Sequence, residues 1–322
     1  MNETTPIRPK PLASLSLDLD NKWSYMKTHG DPGWESLPSY FDIVVPRVLT
    51  LLQEESLTIT FFIVGLDAAQ PASQPVLKSI AEAGHEIGNH SYKHEPWLHL
   101  YSDAELEQEM TLAETAIQHA TGQTPIGFRG PGFSFSPQLL SLLARRGYQY
   151  DASTFPTFLG PLARMYYFAK SSLSSEQSSQ RKALFGSAQE GFRPLKPYRW
   201  QTPSGPLTEI PVTTMPLARL PIHLSYVLYL ATFSRALALA YWNMSLTLCH
   251  LTNTQPSLLL HPLDFLGQED CPELSFFPAM QTPAAPKLEV TRKVLQTLHR
   301  RFQVVPMREH AHTLLSAPTK PM

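Results

Sequence analysis

His90 and His94 stand four residues apart in the run GHEIGNHSYKH, and two neutral imidazoles so placed can share one metal ion. Among 12 histidines such a pair carries little weight alone, so its meaning depends on residues far from it. An acidic doublet, Asp18 and Asp20, lies in SLSLDLD near the N-terminus. Arg129 follows in GFRGPGFSFS, Asp151 in YQYDAS and His261 in LLLHP. Two imidazoles and one carboxylate hold a hard-to-borderline cation while leaving positions open for water and substrate. That is the minimum equipment for metal-assisted hydrolysis, in which the cation polarises a carbonyl and lowers the pKa of a water from about 15.7 toward about 7.

The segments that must carry these residues alternate strand and helix. Residues 13–20 alternate apolar and polar, as a strand ending on a carboxylate would, with Leu17 and Leu19 facing one side and Asp18 and Asp20 the other. Residues 38–55 carry Val44, Val45, Val48, Leu49 and Leu52 at helical spacing, and TITFFIVG, rich in β-branched and aromatic residues, follows as a buried strand. A helix over 73–83 precedes the short strand EIGNH. Ser102 and Glu105 then have capping-box spacing at the start of a helix that stops at Gly122. Further on, IGFRG, YQYDAS, PLTEIPVT, PSLLLHP and FQVVPM read as strands, with helices over PQLLSLLARRG and PAAPKLEVTRKVLQTLHRR. This is the rhythm of parallel βαβ units. A doubly wound sheet would draw its site from a few strands at a switch point. Here five strands end on candidate residues, which favours a β/α barrel of seven or eight strands.

The ordered set resembles the polysaccharide deacetylase, or NodB-homology, family of carbohydrate esterases. Asp18-Leu19-Asp20 is similar to the family's first acidic motif, in the spaced D-x-D form of the branch that includes some peptidoglycan deacetylases and a deformylase of a lipid-linked amino sugar. HSYKH matches the H-[ST]-x-x-H metal motif, RGPG the arginine motif, YDAS the strand-end aspartate motif and LLLH the L-x-x-H motif. The likeness covers residues 13–155 and 256–305. It implies a distorted (β/α) barrel, one divalent ion (zinc by default, with cobalt, nickel or manganese also accepted) and Asp20, His90 and His94 as its ligands. By the same resemblance Asp18 would take the proton from the attacking water, and His261 would protonate the leaving nitrogen. Arg129 would hold Asp18 by a bidentate pair that lysine cannot copy. Asp151 would orient His261 or complete the Arg129 network, and the backbone N–H of Gly132 would help bind the oxyanion. The implied reaction removes an N-acyl group, acetyl or formyl, from an amino sugar in a polysaccharide or lipid-linked glycan. Two other readings stay open: a metal-independent cyclic amide or ureide hydrolase of the allantoinase kind, and a catalytically silent carbohydrate- or lipid-binding protein.

The whole chain is compatible with one such domain over 1–322, interrupted by an atypical insertion at about 160–255 that is Ser- and Gln-rich, then aromatic and basic in YRW. Hydrophobic residues make up 43%, enough for a sizeable core, and a net charge of −1 offers no electrostatic basis for a nucleic-acid partner. Cys249 and Cys271 read as reduced thiols. The first dozen residues carry three prolines and an acid but no apolar core of a signal peptide, which places the protein in the cytoplasm by default. The run over 224–242 is too short for a membrane span and carries Arg235, so it reads as a buried or interfacial helix and puts a peripheral contact at the inner membrane surface. Trp23, Trp34 and Trp97 fall in loops after reactive strands, where they would line a sugar cleft or pack as aromatics. His85 and His99 read as solvated or core positions, and His310 and His312 as tail residues.

Overall fold

The computed structural model describes residues 10–159 and 188–315. The Ser- and Gln-rich start of the expected insertion, and the first nine residues, lie outside the described residues. Eight strands run parallel: β1 (Leu12–Leu19), β2 (Thr60–Ile63), β3 (Glu86–Asn89), β4 (Gly127–Phe128), β5 (Tyr150–Asp151), β7 (Gly205–Glu209), β8 (Ser257–Leu260) and β9 (Gln303–Val305). β6 (Tyr198–Thr202) is antiparallel to β7, and the order along the sheet is β6-β7-β5-β4-β3-β2-β1-β8, with β9 beside the start of β1. Past β7 the chain stays extended. Thr213 N–H donates to Ser257 O at 2.9 Å, and Ser257 N–H donates to Thr213 Oγ1 at 2.8 Å, so the curl meets β8 from the far side. The fold is the distorted barrel that the alternation predicts.

Period-two patterning explains the two faces of β1. Ala13, Leu15, Leu17 and Leu19 are buried in the main apolar core, against helices α2 (Phe41–Glu54) and α9 (Ala284–Arg301). Ser14, Ser16 and Asp18 face the barrel interior, where polar side chains mix with an apolar cluster of Phe62, Tyr150, Ile210 and Met307. Thr60 Oγ1 donates to Glu86 Oε2 at 2.5 Å and Tyr150 OH donates to Glu86 Oε1 at 3.0 Å. Helix α10 (Met307–Leu315) plugs the lower end. Arg308 N–H donates to Glu86 Oε2 at 3.0 Å, and the His310 ring bonds Ser14 Oγ through Nδ1 at 2.9 Å and Gln255 Oε1 through Nε2 at 3.1 Å. His310 is therefore a buried part of the barrel floor and not a tail residue.

The run over 224–242 is not one helix. Helix α7 (Leu224–Phe233) ends at Ser234, which then caps α8 (Arg235–Leu251) by accepting Leu237 N–H at 3.3 Å. The buried side is held by Val227, Leu228, Ala238, Trp242 and Leu246, while Tyr229, Phe233, Leu237, Met244 and Leu251 face outward. No helix among the described residues is long and apolar enough to cross a membrane. The aromatic-basic stretch YRW is strand β6, a hairpin arm and not a loop.

Candidate metal centre

Asp20 is the first residue past β1, His90 the first past β3, and the parallel register sets both at the same rim of the sheet. The loop after His90 turns sharply: Ser91 and His94 both have left-handed backbones, with φ of 62° and 55°. Such conformations cost non-glycine residues of order 1–3 kcal/mol each and need external support. It comes from Glu109, buried on helix α5 (Asp103–Thr121), whose Oε1 accepts the N–H groups of Tyr92 at 2.9 Å and Lys93 at 2.7 Å. Ser91 Oγ also accepts the His94 N–H at 3.1 Å. The turn swings the second imidazole back over the first.

The result is a three-donor cluster. Asp20 Oδ1 lies 2.9 Å from His94 Nε2 and 3.3 Å from His90 Nε2. Two ligand atoms each about 2.05 Å from a tetrahedral ion would stand about 3.3 Å apart, so the spacing suits a shared cation. Among the described residues these three side chains form a group whose donor atoms all lie within 4.8 Å of one another. His90 Nδ1–H donates to the Arg129 carbonyl at 2.6 Å, which leaves the Nε2 lone pair of the neutral ring facing Asp20. Asp20 Oδ1 is buried without a hydrogen-bond donor. Burial alone would raise the Asp20 carboxyl, but the His94 and His90 rings, when protonated, outweigh it by their charge and hydrogen bonds and hold the group well below the ordinary carboxylate range. A buried anion, aligned lone pairs and ligand-like spacing together fit a divalent ion.

Arg129 is fully buried beneath this cluster. Its Nη1 donates to Asp18 Oδ1 at 2.6 Å and to Ser16 Oγ at 2.9 Å, its Nε donates to Ala152 O at 3.1 Å, and its plane lies 4.4 Å from the Phe62 ring centre. The expected arginine–aspartate pair is present through one nitrogen, with Ser16 as a second acceptor of that same nitrogen. Asp18 Oδ2 lies 3.9 Å from His90 Nε2, so Asp18 sits beside the donor cluster with one oxygen anchored and the other facing it.

Asp151 makes neither of the contacts expected of it. Its Oδ1 accepts Ser153 Oγ–H at 2.6 Å, and Ser153 Oγ accepts Gly130 N–H at 2.8 Å, so it braces the loop that follows Arg129. Its other neighbour is Glu209, directly across β5–β7, a pairing that no local spacing announces. Burial raises both carboxyls, Glu209 further because the Asp151 charge adds to it. Gly132 lies in the turn Pro131–Phe133 with φ 58°, where a Cβ would approach Pro96 Cβ to 3.2 Å; the loop needs glycine for its turn and for packing on the metal-motif loop.

His261 follows β8, whose Leu260 is paired with Leu17, so it stands at the same rim one strand from Asp18. Residues not singled out from the sequence complete this side. His223 is buried with its ring centre 5.6 Å from that of His261, and burial, with help from His261 and Arg129, pushes its pKa well below the usual imidazole value. Around Asp20, Tyr40 OH donates to the Asp20 carbonyl at 2.6 Å. Asn21 Nδ2 and Trp23 Nε1 donate to the buried Asp67 Oδ1 at 2.7 and 2.8 Å. Trp23 is thus a buried brace of the Asp20 turn and not part of a cleft wall. Trp34 lies in a short turn with Lys27 Nζ 5.1 Å over its ring.

Residues 31–150 match the family model described as Polysaccharide deacetylase. The matched stretch holds both imidazoles and Arg129, and the fold brings Asp20 and His261 to them from outside it. Over that stretch the chain is similar to the polysaccharide deacetylase family. A peptidoglycan deacetylase of Helicobacter pylori is 32% identical over 112 residues, 35% of this chain and 37% of that protein. A peptidoglycan-N-acetylmuramic acid deacetylase of Bacillus subtilis is 33% identical over 106 residues, 32% of this chain and 39% of that protein. The match therefore spans less than half the length of these relatives. Over nearly the whole fold, a Mycobacterium smegmatis protein solved under the name polysaccharide deacetylase superposes with a TM-score of 0.59 at 21% identity, covering 99% of both chains. Puue allantoinase superposes with a TM-score of 0.57 at 16% identity, covering 98% of this chain and 94% of that one. At these identities the likeness is one of fold.

Proposed function

We propose that this chain is a metal-dependent hydrolase that removes an N-acyl group, acetyl or formyl, from an amino sugar in a polysaccharide or lipid-linked glycan. The observation that carries the reading is the convergence of Asp20, His90 and His94 into a buried donor set beside an Arg129-anchored Asp18. A bound divalent ion, zinc by default, would supply Lewis acidity toward the acyl oxygen and acidify a water. The protein's own groups do the rest. Asp18, its Oδ1 held by Arg129, turns its other oxygen toward the cluster to accept the water's proton. His261 protonates the amine as the carbon–nitrogen bond breaks and the bonding pair stays on nitrogen. Gly132, in the turn beside the metal-motif loop, is the residue whose backbone N–H we assign to the oxyanion.

A metal-independent cyclic amide hydrolase would not need lone pairs aligned on a buried carboxylate, so the donor set favours the deacylase. The outward apolar face of α7 and α8 supports a second element of the proposal: a cytoplasmic protein that meets lipid-linked substrate at a membrane surface. The test is release of acetate or formate from N-acetylated and N-formylated amino-sugar oligomers by zinc-loaded and chelator-treated protein. The reading predicts release that chelation abolishes and zinc restores. Release unaffected by chelation would favour the metal-independent reading, and no release from any amide by the loaded protein would favour a binding role.

A further inference from the structure

Asp20 and His94 lie on different segments, and a single lysine joins the two. Helix α1 (Lys22–His29) starts two residues after Asp20, capped by Asn21, whose Oδ1 accepts the Lys22 N–H at 2.8 Å. Trp23 and Lys27 stand four residues apart on this helix and so share a face. That face covers the turn of the metal motif. The Trp23 indole meets the His94 ring edge-on, with centres 6.5 Å apart. One helical turn on, Lys27 Nζ donates to Glu95 Oε1 at 2.5 Å and to Lys93 O at 3.3 Å, so both residues flanking His94 end on one ammonium. The ammonium also lies 5.7 Å from the Trp23 ring centre and 5.1 Å from that of Trp34. Lys93 is thus held twice: its N–H by the Glu109 carboxylate of α5 and its carbonyl by Lys27 of α1.

We propose that Lys27 and Glu95 are positioning residues for the metal centre, forming an ion-pair strap from α1 to the HSYKH turn that keeps the His94 imidazole at ligand spacing from Asp20. The inference rests on Asp20, His90 and His94 being the metal centre proposed above. Glu95 is 8% exposed, and its Oε2 is buried and accepts no hydrogen bond from any described residue. Among the described residues Lys27 is the cation paired with it. The carboxylate therefore depends on Lys27 for its compensation, one residue from a ligand.

The sign of the effect separates a strap from a simple charge. Lys27 is a cation close to the place of a divalent ion, so by Coulomb's law its removal should tighten zinc binding. A strap requires the opposite. Without Lys27 the buried Glu95 carboxylate is left unpaired, and the turn must open to hydrate it, which carries His94 away from Asp20. Ser91 and His94 hold left-handed backbones, so the turn has strain to release in that direction.

The experiment measures zinc affinity by chelator competition, and the visible absorption of the cobalt-loaded protein, whose intensity follows coordination geometry. Wild type is compared with Lys27→Met, Lys27→Gln, Lys27→Arg, Glu95→Gln and the Lys27→Met/Glu95→Gln double variant. Lys27→Met should bind zinc about 10–100-fold more weakly, with an altered cobalt band. Lys27→Arg keeps the pair and the contact with the indoles and should recover most of that loss. The double variant leaves no unpaired charge, so its loss should be smaller than the sum of the two single losses. Lys27→Gln still donates to Glu95 without a charge; it should weaken zinc in the same direction, and it reports if Lys27→Met folds poorly. Zinc bound as tightly as wild type or more tightly by either uncharged variant, even with a lowered Tm, would overturn the strap, as would single losses that simply add. A wild type that takes up no zinc would sink the metal centre itself, and the strap with it.

Discussion

Glu109→Ala should weaken metal binding although the residue touches no ligand atom. In the native structure its buried carboxylate accepts two backbone N–H groups of the HSYKH loop, at 2.9 and 2.7 Å. Hydrogen bonds to a charged acceptor contribute about 1.5–3 kcal/mol each, so the pair supplies about 3–6 kcal/mol. Against it stand the left-handed Ser91 and His94, whose strain is about 1–3 kcal/mol apiece, or about 2–6 kcal/mol together. These ranges overlap, so without Glu109 the loop should relax and carry His94 away from Asp20. Loss of such support around a metal typically costs 10–100-fold in affinity, about 1.4–2.7 kcal/mol. Glu109→Gln keeps an acceptor oxygen at the same place and should lose much less. Titration calorimetry of metal-free wild type, Glu109→Ala and Glu109→Gln with zinc measures this. A Glu109→Ala protein that is less stable but binds zinc as tightly as wild type would refute the reasoning and leave Glu109 a packing residue.

Other consequences follow from the buried charges. Arg129→Lys keeps a cation but cannot serve Asp18, Ser16 and Ala152 at once; partial loss of a buried pair should cost up to about 3–5 kcal/mol, read as a lowered Tm. Burial lowers His310 from 6.5 to about 4, so the unfolded chain binds the extra proton between those values and stability falls as pH drops through that window. His310→Gln should flatten that acid slope by on the order of 3 kcal/mol, measured by urea unfolding at pH 7 and pH 4. Asp67 runs the other way: burial lifts it from 3.8 to about 7, so the folded chain holds a proton the unfolded chain has lost and stability falls as pH rises through that range. Asp67→Asn keeps an acceptor for Asn21 and Trp23 and should raise the Tm of metal-free protein at pH 8 far more than at pH 4.

The alternation of elements was legible because the parallel strands are short and bounded, and a helix such as α5 carries its own start signal. The capping box at Ser102 and Glu105 is present in the structure as read, with Ser102 N–H donating to Glu105 Oε2 at 2.8 Å. The convergence of Asp20, His90 and His94 was legible because their residue types and order suit one donor set whatever lies between. Asp151 shows where such reading stops. Its strand-end position is as expected, but its partner is set by Glu209 across the sheet, from a strand 58 residues on. Ser225 and His223 carry no motif and reach His261 only because α7 folds back over β8. The break at Ser234 was hidden by a continuous apolar run, in which a serine cap has no hydrophobic signature. Glu109 did leave a trace: it falls on the buried stripe of α5 beside Leu106, Met110, Ala113 and Ile117, where a carboxylate needs a reason.

Metal analysis of purified wild type and Asp20→Ala, each dialysed against equimolar zinc, should find one ion per wild-type chain and loss of it in the variant. Stoichiometric zinc retained by a folded Asp20→Ala protein would contradict the assignment of Asp20, His90 and His94 as one metal centre.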